Sequence, residues 1–144
     1  MIRMYEDNDK VDVLRLANEF AEQTESEGYN DENLIFMMNK CIGEGFILVA
    51  EEEEKIVGMV GGIFIFSPLM NGVVFSETAW YVSKDARGCG KELFDEMELM
   101  VDKTEAKAIT VCAYCNEYQK VVERMYKMRK YKEIEHFWMK KIKD

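Results

Sequence analysis

The chain of 144 residues contains one proline, one histidine and no apolar run long enough to cross a bilayer. So little proline, with no low-complexity stretch, excludes a proline-rich linker or a compositionally disordered chain. The longest apolar run, 56–66, is interrupted by three glycines and falls well short of the roughly 20 residues of a membrane helix. The N-terminal MIRMYEDNDK lacks the apolar region of a secretory signal. These absences make a cytoplasmic protein with no membrane partner the expectation. Basic residues are also scarce: 19 Lys and Arg stand against 28 Asp and Glu, a net charge of -9. Such a field repels nucleic acid and favours a cationic substrate.

Cysteine is present but without a framework. In a chain with no export signal, Cys41, Cys89, Cys112 and Cys115 read as reduced thiols. Cys112-x-x-Cys115 has the spacing of half a zinc site, but within a strand its side chains would point to opposite faces. No second Cys/His pair exists, so no metal is expected. Cys89, at the start of a helix, could have a lowered pKa and be reactive, though no neighbouring base supports a nucleophilic role. His136 sits among aromatics and reads as a packed or surface strand residue.

What is present suits one globular domain over 1–144, with 48% hydrophobic and 33% charged residues. Residues 2–5 fit an edge strand, and EDND supplies the cap for a helix over about 9–23, in which Val13, Leu16, Ala17, Phe20 and Ala21 recur at the 3.6-residue period. Asn30 or Asp31 caps a second helix carrying Leu34, Met37, Met38, Cys41 and Ile42, which Gly43 and Gly45 end. FILVAEEEEKIVGMVGGIFIF reads as two strands around an acidic turn, and Asn71-Gly72 marks a tight turn into a strand over Val73–Val82. A third amphipathic helix (Leu93, Phe94, Met97, Met100, Val101), the strand KAITVCAYC, a helix through Tyr118, Val121, Val122, Met125 and Tyr126, and a last strand YKEIEHFWMKKI complete the order. Strand, helix, strand implies a right-handed crossover and a parallel pair.

Between the fourth strand and third helix lies VSKDARGCGKELF. A glycine-containing turn that opens a helix aims backbone N–H groups and the positive end of the helix dipole at one place, which suits phosphate. Lys84, Arg87 and Lys91 face Asp85 alone there, a cationic spot in an acidic protein. The alternative is a β–α turn with solvated side chains. No Gly-x-x-x-x-Gly-Lys-Ser/Thr and no full Gly-x-Gly-x-x-Gly in a first βαβ unit is present.

The order of elements, YVSKDARGCGKELF and ERMYKMRKY together resemble the GNAT superfamily of acyl-CoA-dependent N-acetyltransferases, over nearly the whole chain. The short form and the ending HFWMKKI look most like small bacteriophage-encoded members. The resemblance implies an α+β fold: a central mixed, mostly antiparallel sheet of six to seven strands, flanked by four helices and splayed at strands 4 and 5. It implies acetyl-CoA as cofactor, with the backbone of Tyr81 and Val82 holding the pantetheine arm. The amides of Arg87, Gly88, Cys89, Gly90 and Lys91 would then hold the pyrophosphate. The elbow is two residues shorter than the family's Arg-Gly-x-Gly-x-Gly/Ala, with Asp85 where Gln or Arg is common. Lys130 replaces the glycine that usually precedes the final aromatic, and Gln119 replaces a common asparagine.

Direct acetyl transfer to a primary amine in a ternary complex needs a proton acceptor, a polarised carbonyl and a proton for the thiolate. By resemblance Glu77 is the acceptor, Val82 N–H polarises the carbonyl and Tyr126 donates to sulfur. The alternatives are an exposed strand residue at Glu77 and a core aromatic at Tyr126. A small molecule or a protein would supply the amine, a homodimer through the C-terminal strand is expected, and a GNAT-fold module that only binds acyl-CoA or a protein is the second reading.

Overall fold

The computed structural model describes residues 1–24 and 27–144, apart from the side chain of Arg87. The chain forms two compact units, Met1–Cys112 and Ala113–Asp144.

In the first unit, strand β1 (Ile2–Met4) is followed by helices α1 (Lys10–Gln23) and α2 (Asp31–Glu44). The start of α1 is fixed by a half-buried ion pair: Arg3 donates to both carboxylate oxygens of Asp9 at 2.8 and 2.9 Å, and Asp9 also accepts the Glu6 N–H. The hydrogen bond from the guanidinium holds the Asp9 carboxyl below the usual carboxylate range. Asn30 caps α2 as expected, accepting from Asn33 N at 2.9 Å. The helix runs through Gly43 and stops one residue later, because Gly45 is needed as the first residue of β2. A Cβ there would collide with the Gly62 carbonyl oxygen.

Strands β2 (Gly45–Glu52), β3 (Lys55–Ser67) and β4 (Gly72–Val82) form the antiparallel meander. Glu53 and Glu54 both have positive φ, 49° and 62°, so the acidic turn is a two-residue hairpin of the type that matches strand twist. The β3–β4 connection is a four-residue loop closed at Ser67 and Gly72, with Asn71 alone at φ 49°, in place of a two-residue Asn-Gly turn. Helix α3 (Gly90–Asp102) then leads to β5 (Ile109–Thr110), which pairs parallel to β4.

Sheet order is β1-β2-β3-β4-β5. Adjacent β4 side chains point to opposite faces. Tyr81 packs with Val13, Leu16, Ala17 and Met38 under α1 and α2, while the Trp80 ring meets Phe94 of α3 at 5.0 Å in a tilted contact. Leu93, Phe94 and Met97 are completely buried there, each contributing about 2 kcal/mol of apolar burial.

Five strands, not six to seven, are present among the described residues. The KAITVCAYC strand shortens to two residues because pairing with β4 ends at Ser76 and Thr110. The expected last strand over 131–142 does not form: a strand needs a neighbour to bond, and Lys132 through Asp144 are all exposed with no ladder. Four α-helices form among the described residues, as expected, three in the first unit and one in the second.

In the second unit, α4 (Gln119–Met128) closes with paired bonds from Lys130 N to Lys127 O at 3.1 Å and Tyr131 N to Tyr126 O at 3.0 Å, and the Tyr126 and Tyr131 rings meet at 5.6 Å. This is a Schellman ending, and it puts Lys130 at φ 67°. The family glycine missing from the sequence is therefore missing from a position whose backbone favours it. Lys130→Gly is expected to stabilise the protein by about 0.5–1 kcal/mol, read as a raised urea midpoint.

Candidate active site

The site is built on the C-terminal half of β4. Gly61 pairs with Ala79 and Gly62 with Glu77, so Thr78 is an extra residue on β4, a bulge of the kind that re-aims side chains. Thr78 Oγ1 donates to Gly61 O at 3.2 Å and lies 3.4 Å from Cys41 Sγ, which ties the bulge to α2. Immediately before it, Glu77 is 8% exposed. It is thus a buried carboxylate and not a solvated strand residue. Desolvation pushes its carboxyl up to about 7, against the opposing hydrogen bonds from the Cys112 backbone and thiol. The Cys112 Sγ donates to Glu77 Oε2 at 3.9 Å.

The open edge begins where β5 ends. Ser83 N donates to Val57 O at 2.8 Å, which makes Val57 and Ser83 a hydrogen-bonded pair. By the alternation of an antiparallel ladder, Tyr81 directs its backbone to β3, while Val82 directs N–H and C=O away from it. A ligand arm along this edge would therefore meet the Val82 backbone and not that of Tyr81. The Tyr81 side chain has another task. Its hydroxyl donates to Glu19 Oε2 at 3.1 Å, and its ring packs on Phe20 at 5.8 Å.

Beyond Ser83 the elbow is 3₁₀-helical over Lys84–Cys89, broken by a non-helical kink at Ala86 (φ -138°, ψ 33°), and runs directly into α3 at Gly90. Cys89 is the N-cap and makes no side-chain cap bond, so its side chain leaves the first N–H groups of α3 to other acceptors. A Cβ built on Gly88 meets nothing within 4 Å. Open space thus faces the Gly88 backbone beside the N-terminus of α3, the end of a helix that suits an anion. Lys91 bonds Asp95 at 2.9 Å, which reduces the local positive charge. Cys89 is buried, and burial pushes its thiol up, not down, so the expected reactivity does not hold: desolvation outweighs the helix terminus.

A cavity of about 390 Å³ opens between the end of α1 and the elbow, lined by Glu19, Glu22, Gln23, Tyr81, Ser83, Lys84 and Asp85. Three carboxylates against one lysine make it cation-seeking. Arg15 pairs with Glu19 at 2.9 Å from outside the lining. Tyr126 is 8% exposed on α4, held by its own C-terminal turn.

Two contacts at the candidate site are invisible in the sequence. The Cys112 contact with Glu77 requires the Ser76–Thr110 register, and the Tyr81 bond to Glu19 requires the docking of α1; neither leaves a local signal.

The chain matches the acetyltransferase (GNAT) family over residues 11–131. No curated protein sequence matches it. Solved structures similar to it include a possible acetyltransferase from Clostridium difficile 630, at 18% identity and TM-score 0.76 over 100% of this chain and 98% of that one. A ribosomal-protein-alanine N-acetyltransferase from Brucella melitensis biovar Abortus 2308 is similar at 15% identity and TM-score 0.76, over 100% and 99%. A predicted acetyltransferase with acetyl-CoA from Clostridium acetobutylicum is similar at 17% identity and TM-score 0.77, over 98% and 95%. At these identities the solved structures establish the fold, and the family match extends from α1 through Tyr131. The chain belongs to the acetyltransferase (GNAT) family and is an acyltransferase of that family.

Proposed function

We propose that the protein transfers an acetyl group from acetyl-CoA to a primary amine by direct attack in a ternary complex, over one domain spanning 1–144. The observation that carries this is Glu77: a buried carboxyl, pushed up to about 7 by desolvation, at the open edge of β4. A base of that strength can take a proton from an ammonium-derived amine near neutral pH.

Bound acetyl-CoA would supply the activated acyl group. The Val82 N–H would polarise its carbonyl, and the backbone of Arg87, Gly88, Cys89, Gly90 and Lys91 would receive the diphosphate, as Gly88 and the start of α3 permit. Tyr126 giving a proton to the leaving sulfur rests on the family resemblance. The acidic cavity at Glu19, Glu22 and Asp85 favours a cationic acceptor, whether a small molecule or a protein amine. A similar structure acts on a ribosomal-protein alanine, and another was solved with acetyl-CoA. The likeness to small bacteriophage-encoded members rests only on the short form and the chain ending. A homodimer is part of the reading, supported by the exposed Phe137, Trp138 and Met139.

Isothermal titration with acetyl-CoA tests this. The Cβ that Gly88→Val adds meets nothing within 4 Å, so the substitution should leave the fold intact and weaken micromolar binding by about tenfold or more. Thiol release with amine acceptors then tests transfer. Binding without transfer to any amine would favour the acyl-CoA-binding module, a reading the shortened elbow supports. No binding would overturn both.

A further inference from the structure

Two carboxylates are buried among the described residues, and they are held differently. Asp9 has Arg3 at 2.8 Å. Glu77 is held by one residue with no charge to offer: Cys112 directs its backbone N–H and its thiol at the carboxylate, with Sγ 3.9 Å from Oε2. The place of Cys112 is informative. Regular pairing stops at Ser76 and Thr110; one residue further along β4 and two residues beyond β5, a side chain and its acceptor bridge the gap that the ladder leaves. The other thiol that senses Glu77 is Cys41 on α2, pushed up first by burial and also by the Glu77 charge, but it bonds Thr78 and not the carboxylate.

We propose that Cys112 is the positioning residue of Glu77: its thiol and amide fix the carboxylate at the open edge of β4, where the strands part. The proposal rests on Glu77 being the base, so far as its consequence for turnover is concerned. A cation in that place would drive the carboxyl far down and leave a poor base. A weak neutral donor orients it while leaving most of the effect of desolvation in force.

The coupling is reciprocal, as any interaction between two titrating groups must be. Partial desolvation of the sulfur, then the Glu77 charge and its hydrogen bond, push the Cys112 thiol up to about 11. Cys112 is exposed to reagents, yet at pH 8 only about one thiol in a thousand is then a thiolate. The carboxylate protects the cysteine that orients it.

Two measurements on the full chain test this without acetyl-CoA or acceptor. The first is alkylation of Cys112 by iodoacetamide at pH 8, followed by mass spectrometry with Cys115 as reference. Glu77→Gln should speed Cys112 by about tenfold and leave Cys115 unchanged. The second is the ionisation midpoint of Glu77, followed by carboxyl carbon NMR in wild type, Cys112→Val and Cys112→Ser. The valine should raise the midpoint by about half a pH unit or more, and serine should restore it. An unchanged midpoint in Cys112→Val with an unchanged alkylation rate in Glu77→Gln overturns the proposal, whatever happens to stability. If both move but no acetyl transfer is found, the positioning stands and the reading of the activity fails. If transfer is found, its acid limb should follow the same midpoints, and a limb that ignores Cys112→Val also overturns the proposal.

Discussion

Glu77→Gln is expected to lower kcat/KM for acetyl transfer by about 10²–10³-fold while leaving acetyl-CoA affinity nearly unchanged. The amide keeps the shape and polarity of the buried group but cannot accept a proton. In the wild type, activity should rise with pH through about 7, the ionisation of Glu77, and this limb should vanish in the variant. Stability should move the other way. The folded-state pKa, about 7, lies above the ordinary 4.5. At pH 4 both folded and unfolded states hold the proton and burial of the charge costs nothing. As pH rises from about 4.5 to about 7 the unfolded state releases its proton and the folded state resists, so wild-type stability falls, by about 3 kcal/mol at the plateau. Glutamine does not titrate, so the variant should gain stability over wild type between pH 5 and pH 8 in urea denaturation. A less active, more stable protein at pH 8 is the signature of a base held in a costly environment. If turnover persists within threefold of wild type, or no difference in the pH dependence of stability appears, Glu77 is not the base.

Much of this arrangement was legible in the sequence where local periodicity or turn chemistry decides structure. The apolar spacing of Val13, Leu16, Ala17 and Ala21 places their burial on α1, and Asn30 caps α2. The elbow ends and α3 begins at Gly90, as the Gly-x-Gly turn implies. Glu77 was legible as a candidate, but its burial was not, since that depends on the bulge at Thr78 and on Cys112. The misreadings share a cause. A β-branched run and an aromatic ending look like strands, yet a strand exists only where a neighbour bonds it, and none does beyond Thr110 or over 131–142. The helix terminus alone suggests a reactive Cys89, while its burial decides its chemistry. Long-range partners, not local preference, separate what could be read from what could not.

Gly62→Ala should be strongly damaging, and Gly43→Ala, the same chemical change, should be stabilising. At Gly62 the added methyl would collide with the Ser76 carbonyl oxygen and lie 2.7 Å from Cζ of Phe75. Ser76 is bonded into the β3–β4 ladder and the Phe75 ring is stacked on Phe46 at 4.6 Å, so neither can yield without breaking pairing or packing. The cost should be about 3 kcal/mol or more. Gly62 also faces Glu77 across the ladder and supplies the carbonyl oxygen that Gly45 approaches. The molecules that do fold should therefore carry a displaced bulge, with Glu77 out of line and turnover reduced beyond the loss of folded protein. Gly43 lies inside α2, where a Cβ meets nothing within 4 Å, and alanine there should add about 1 kcal/mol by restricting the unfolded chain and favouring helix. Urea denaturation followed by circular dichroism reads both. Opposite shifts of the midpoint would confirm that close approach of three backbones, and not mere sheet content, holds the β4 bulge; a Gly62→Ala midpoint equal to wild type would mean that β3 and β4 do not approach this closely and that the placement of Glu77 has another origin.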